Sequence, residues 1–167
     1  MATKENALEA FAGESQASRR YAAFSEKAAE EKFRRVATLF KAASEAEAIH
    51  AKKLLNVLGE IKPTAQNTEA GIAGETREYS AMYPAFVKSA GDEKRNDAAV
   101  VFRYAMGAEE VHAELFKKVQ AALRAGHDLE NEKVYLCPVC GYIAIGKAPD
   151  KCPICSIFRK QFREVTL

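Results

Sequence analysis

The sequence predicts an all-α four-helix bundle followed by a small strand-and-turn appendage. Three observations carry this. Four stretches with helical periodicity fill the first 125 residues, the composition changes beyond Lys133, and all four cysteines of the 167-residue chain fall between Cys137 and Cys155.

The first periodic stretch runs from about Lys4 to Ala29 and the second from about Phe33 to Leu58, where Gly59 is suited to end it. A loop containing Pro63 follows. The third stretch begins near Asn67 and ends around Ser89 to Gly91, with Pro84 expected to kink or end it nearby. Asp92 is placed to cap the fourth, which continues to Ala125 and stops at Gly126. Long helices with short connections define a bundle domain over residues 1–126. Residues 127–133 are polar and read as a linker. From 134 to 167 the aromatic and β-branched residues, with Gly141, Gly146, Pro138, Pro149 and Pro153, suit short strands and turns. A segment of that size cannot hold a fold by its hydrophobic core alone, so it needs a staple.

Composition narrows the function. With 48% apolar and 29% charged residues the chain is an ordinary globular protein, and its 25 basic and 23 acidic side chains leave a net charge of +2. No block of like charge could track a phosphate backbone, which points away from nucleic acid. The amino terminus is polar and no apolar run is long enough to cross a bilayer, so a cytoplasmic location without a membrane partner is expected.

A faint internal repeat runs through the helical part. Gly13-Glu14-Ser15 is echoed by Gly74-Glu75-Thr76, an offset of 61, and the segment around Glu47 and His50 by that around Glu109 and His112, an offset of 62. Each half therefore supplies one helix with a lone carboxylate and one with Glu-x-x-His.

The buried seam of a bundle helix advances by alternating steps of three and four residues, which makes its polar members informative. The second helix reads Phe40, Ala43, Glu47, His50, Leu54, Val57; the fourth reads Phe102, Ala105, Glu109, His112, Phe116, Val119. The first carries Glu14 and Tyr21 on its stripe, and the third Glu75, with Glu78 one turn on. Burying an ionised carboxylate costs several kcal/mol even after relaxation, and five facing one another repel. Cations would offset this. Two iron or manganese ions, with His50 and His112 as neutral ligands, complete the pattern of dinuclear carboxylate bundles, to which Glu78 adds a fifth carboxylate. Tyr21 reads equally as an aromatic core residue and as a phenol donating to a ligand carboxylate.

Cys137-x-x-Cys140 and Cys152-x-x-Cys155 are two thiolate hairpins that can enclose one tetrahedral ion, zinc or mononuclear iron. Iron would make the tail a one-electron carrier, and a redox centre beside it favours iron.

Across essentially its whole length the chain resembles the rubrerythrins, which join a ferritin-like di-iron bundle to a rubredoxin-like domain. The residues that carry the resemblance are Phe11 to Ala17, Glu47-x-x-His50-Ala51-Lys52, Gly74-Glu75-x-x-Glu78-Tyr79-x-x-Met82-Tyr83-Pro84, Ala108-Glu109-x-x-His112 and the two cysteine hairpins. The resemblance implies that Glu14, Glu47, Glu75, Glu78, Glu109, His50 and His112 bind two irons, and that Cys137, Cys140, Cys152 and Cys155 bind one. Zinc can replace the latter in recombinant protein. It further implies that Glu78 gives way to His50 at one iron on reduction, with Glu78, His50 and Tyr21 as the catalytic candidates. The implied activity is reduction of hydrogen peroxide to water in oxidative-stress defence. Electrons would come from a donor protein, a rubredoxin or an NAD(P)H-dependent reductase, since no nucleotide-binding glycine motif is present. The tail is expected to approach a di-iron site, in this family often that of another subunit, and hence a homodimer or larger assembly is expected. The alternative is a ferritin-like protein that oxidises and buffers iron. The chain departs from the family after the final cysteine, where Ser156-Ile157 replaces the usual small turn.

Overall fold

The computed structural model describes residues 2–130 and 132–166; of the expected linker, residue 131 lies outside the described residues. The chain divides into two units, one ending at Lys62 and one beginning at Pro63.

The first unit is a helical hairpin of α1 (Ala2–Glu30) and α2 (Arg34–Leu58). Small residues line its interface: Ala7, Ala28, Ala37 and Ala51 are buried there, as are Ser18 and Ser44. The two serines clasp the helices reciprocally, Ser18 Oγ donating to the Ser44 carbonyl at 3.0 Å and Ser44 Oγ to the Ser18 carbonyl at 2.8 Å. Gly59 ends α2 in the left-handed region (φ 67°), as expected, its N–H donating to the Asn56 carbonyl.

The second unit begins with α3 (Thr64–Arg77), passes through one π-helical turn (Glu78–Met82) into α4 (Tyr83–Asp92), and returns along α5 (Asn96–Arg124). The third periodic stretch thus starts three residues before the expected Asn67, and its regular α-helix breaks close to Pro84, in the form of the π turn. Pro84 has no N–H to continue an α-helical ladder, and the turn widens just ahead of it. Gly71 lets α3 approach α5, since a Cβ there would stand 3.1 Å from the Phe116 ring.

Asp92 does not cap α5. It belongs to the last turn of α4, where its carboxylate pairs with Lys88 at 2.7 Å, and the N-cap position falls to Arg95, whose side chain does not cap the helix. The intervening reversal is made by Lys94 in the left-handed region (φ 57°), with the Arg95 N–H donating to the Ala90 carbonyl. The α1–α2 reversal uses the same device 62 residues earlier: Lys32 has φ 67° and the Phe33 N–H donates to the Ala28 carbonyl.

Beyond α5 the chain forms a three-stranded antiparallel sheet in the order β2-β1-β3, from β1 (Val134–Leu136), β2 (Ile143–Ile145) and β3 (Arg163–Val165). The strands are three residues each, and the interior against which they close is formed by the cysteines with Tyr142, Ile157 and Phe162. This is the strand-and-turn domain that the sequence predicts. Among the described residues no helix is long and apolar enough to cross a membrane.

Candidate metal centres and the contact between them

Each unit holds one Glu/His triad. In the first, Glu14 of α1 meets Glu47 and His50 of α2; in the second, Glu75 of α3 meets Glu109 and His112 of α5. Spacing of three puts the Glu and His of one helix on a single face. His50 Nδ1 lies 2.8 Å from Glu47 and 3.9 Å from Glu14, and His112 Nδ1 lies 2.7 Å from Glu109 and 4.0 Å from Glu75. In both triads the donor atoms lie within 4.8 Å of one another, and in both it is Nδ1 that faces the carboxylates. These are oxygen and imidazole donors suited to iron or manganese, so the residues fit the ions that the sequence pattern requires.

The triad carboxylates act on one another electrostatically. Glu14 is raised above the usual carboxylate range by its hydrogen bond with Glu47, then by burial and by the Glu47 charge. Glu47, which accepts that bond and another from His50, is lowered. Glu75 is raised by burial and by the Glu109 charge.

Glu78 stands outside the second triad. It opens the π turn, half-buried, and its charge is felt by Tyr83. The Tyr83 phenol is raised above its ordinary value by burial first, then by the charges of Glu109, Glu78 and Glu75. Tyr83 entered the sequence reading only as part of the motif that carries the family resemblance, without a role. Its ring stacks with Phe86 and Phe102, while Tyr21 stacks with Phe24 and Phe40, each of the three positions being 62 residues apart. Tyr21 thus sits in an aromatic cluster, with no hydrogen bond among the described residues.

The four cysteines form no disulfide and gather in one cluster, Cys137, Cys140 and Cys152 being buried. Neighbouring sulfurs are 3.4 to 3.5 Å apart, far beyond a disulfide and close to the ~3.8 Å edge of a tetrahedron around an ion with bonds of about 2.3 Å. Two like loops present them. Gly141 N–H donates to the Cys137 carbonyl and Ser156 N–H to the Cys152 carbonyl, with Gly141 at φ 80° and Ser156 at φ 65°. The departure at Ser156 therefore leaves the loop geometry intact, with a serine in a conformation that favours glycine. Burial raises Cys140 and Cys155; in Cys137 burial is outweighed by the N–H groups of Cys140 and Val139, and its thiol is lowered.

The cysteine cluster and the second triad touch. His112 Nε2–H donates to the Gly141 carbonyl at 2.9 Å, one residue beyond Cys140. That bond assigns the proton to Nε2 and leaves Nδ1 free to face a metal. Tyr104 of α5 packs against the cysteines, and a cavity of about 180 Å³ is bordered by Tyr104, Glu109, His112 and Cys140. The tail therefore meets the triad of its own second unit. Across the repeat the two histidines differ: His112 is anchored through Nε2 to the Gly141 carbonyl, whereas among the described residues His50 is bonded through Nδ1 alone.

The model of the rubrerythrin domain matches residues 5–120, and that of the rubrerythrin rubredoxin-like domain matches residues 135–163. The chain belongs to the rubrerythrin family. A rubrerythrin-2 of Clostridium acetobutylicum is 33% identical over 92% of this chain and 91% of its own length. Nigerythrin of Nitratidesulfovibrio vulgaris is 37% identical over 92% of this chain and 81% of its own. A solved structure of partially reduced nigerythrin covers 98% of this chain and 86% of its own, at 35% identity and a TM-score of 0.59. A rubrerythrin combines a ferritin-like di-iron domain with a rubredoxin-like four-cysteine domain, and this chain carries the donor sets of both: two Glu/His triads and one tetrathiolate cluster. The family and these clusters support oxidoreductase activity of the rubrerythrin peroxidase type.

Proposed function

We propose that the protein is a non-haem di-iron peroxidase that reduces hydrogen peroxide to water, its electrons arriving through the four-cysteine iron. The observation that carries this reading is the His112–Gly141 hydrogen bond, which joins an electron-carrier site to a triad of metal ligands. A storage protein has no use for such a junction.

Glu14, Glu47, Glu75, Glu78, Glu109, His50 and His112 would hold two irons, and Cys137, Cys140, Cys152 and Cys155 a third. Bound there, a ferrous pair supplies the two electrons that cleavage of the O–O bond consumes, while two protons enter and two waters leave. His50 and Glu78 are assigned as the ligands that alternate. Among the described residues nothing bonds the far nitrogen of His50, whereas the His112 ring is held from behind by a carbonyl. Tyr83, kept protonated by burial and by the adjoining carboxylates, holds a proton beside the site, and Tyr21 is assigned the corresponding place in the repeat. A redox protein, a rubredoxin or a pyridine-nucleotide-dependent reductase, is the proposed donor, the assembly a homodimer or larger, and the compartment the cytoplasm.

The test is anaerobic: the fully reduced protein is mixed with peroxide and its reoxidation is followed in the parent and in Glu78→Ala. The parent reoxidises with peroxide, and the variant slows on the order of a hundredfold. A variant that keeps the parental rate overturns the role of Glu78. A parent that peroxide leaves reduced overturns the peroxidase.

A further inference from the structure

The surface of α5 under the cysteine loops has an unusual composition. Between Tyr104 and His112 it turns Gly107 and Ala108 toward the tail: a Cβ at Gly107 would stand 3.3, 3.4 and 3.6 Å from three carbons of Ile154, and one at Gly141 would lie 3.9 Å from the Ala108 methyl. Ile154 sits inside the second cysteine hairpin, between Cys152 and Cys155, and packs on the buried cysteines. Gly107 is costly where it stands, since glycine in a helix interior lowers stability by ~1 kcal/mol relative to alanine. Its φ does not lie in the left-handed region, so conformation does not require it. Close approach of Ile154 does.

We propose that Gly107 is a positioning residue for electron transfer: its missing side chain seats Ile154 on α5, and this seating brings the Gly141 carbonyl within hydrogen-bond reach of His112. The seat lies about one turn and a half of helix from His112, on the rigid element that carries both Glu109 and His112. The route it holds together runs from Cys140 along the backbone to the Gly141 carbonyl, and across one hydrogen bond to the His112 ring, whose Nδ1 faces Glu109. With iron held by the four cysteines and by the triads, each transfer would oxidise the former from ferrous to ferric and deliver one electron to the latter. Two transfers restore what one peroxide removes, and the donor protein re-reduces the tetrathiolate iron. The inference rests on the peroxidase reading for its chemistry, and on the packing of α5 alone for its geometry.

Gly107→Val adds three carbons where Ile154 already lies in contact, and Ile154→Ala removes three, so the double variant approximately conserves volume across the seat. In Gly107→Val, oxidation of the tetrathiolate iron after peroxide, followed by its visible absorption, slows tenfold or more, on the order expected for displacement by ~1 Å. The absorption spectra of both metal sites stay parental. Gly107→Val/Ile154→Ala recovers to within a few-fold. A second readout needs no turnover: in zinc-loaded full-length protein the His112 Nε2–H, bonded to Gly141, gives a slowly exchanging proton resonance. That resonance disappears in Gly107→Val and returns in the double variant. Parental transfer in Gly107→Val, or no recovery in the double variant, overturns the seat while leaving the peroxidase standing. Should the parent fail to react with peroxide, the proton resonance alone decides the seat.

Discussion

The backbone N–H of Tyr83 donates to the carbonyl of Glu78, five residues back rather than four. That bond accounts for the single irregularity in the internal repeat. Glu14 precedes Tyr21 by seven residues, whereas Glu75 precedes Tyr83 by eight, and from there onward every pair is offset by 62. The third helical stretch holds one extra residue, which a π turn absorbs without disturbing the aromatic cluster beyond it. Deleting Ala81 should return this stretch to regular α-helix and turn Glu78 by about 100° relative to the Tyr83, Phe86 and Phe102 rings. The expected outcome is a folded, fully helical protein that still takes up iron but is reoxidised by peroxide at least tenfold more slowly. Circular dichroism, iron content and stopped-flow absorption check the three parts.

Removal of a triad carboxylate should separate the metal sites. Glu47→Ala or Glu109→Ala leaves two of three donors in a triad whose remaining groups no longer balance a pair of cations. Iron per chain should fall from about three toward one, the remainder carrying only the tetrathiolate absorption. Iron analysis of protein loaded under reducing conditions reads this directly.

Chelation of the tetrathiolate ion should unfold the tail while sparing the helices. The strands are short and the interior of the tail is built largely of the cysteines themselves, so metal binding supplies folding free energy there. Amide exchange over residues 134–166 should become fast, while helical circular dichroism persists.

Ser156 occupies a left-handed conformation at φ 65° that its counterpart Gly141 adopts without strain. Ser156→Gly should relieve roughly 1 kcal/mol and slow metal release from the cysteine cluster. Competition with a chelator, compared with the parent, measures it. Gly141→Ser is expected to act in the opposite direction.

Asp97, in the first turn of α5, is held at about 2 from an ordinary 3.8 by the Arg95 guanidinium and then by the Ala98 N–H. Because the folded value is lowered, its contribution to stability is present above about pH 4 and is lost as pH falls toward 2. A carboxyl NMR titration should show the low midpoint, and Arg95→Ala should move it up toward 3.8.

The residues that gather into the two triads could be read from the sequence because a charged residue in an apolar helical seam is conspicuous without any knowledge of its neighbours. Glu47 with His50 and Glu109 with His112 stand out in this way, as do the paired cysteine hairpins, whose spacing alone encloses an ion. The helix ends at Gly59 and Gly126 were equally plain. The reversals at Lys32 and Lys94 were not, since lysine carries no sign of a left-handed turn, and Asp92 offered a cap that the local chain does not use.

Which residues make up the two Glu/His triads and the four-cysteine cluster was already legible in the chain, because ligand chemistry and helical periodicity are properties of short stretches. That Glu78 sits on a π turn and that the Gly141 carbonyl reaches His112 emerges only once the chain is folded. The first depends on where an extra residue is absorbed between fixed packing contacts. The second depends on Gly107 having no side chain where Ile154 comes to rest, a distance between segments far apart in the chain that no local pattern encodes.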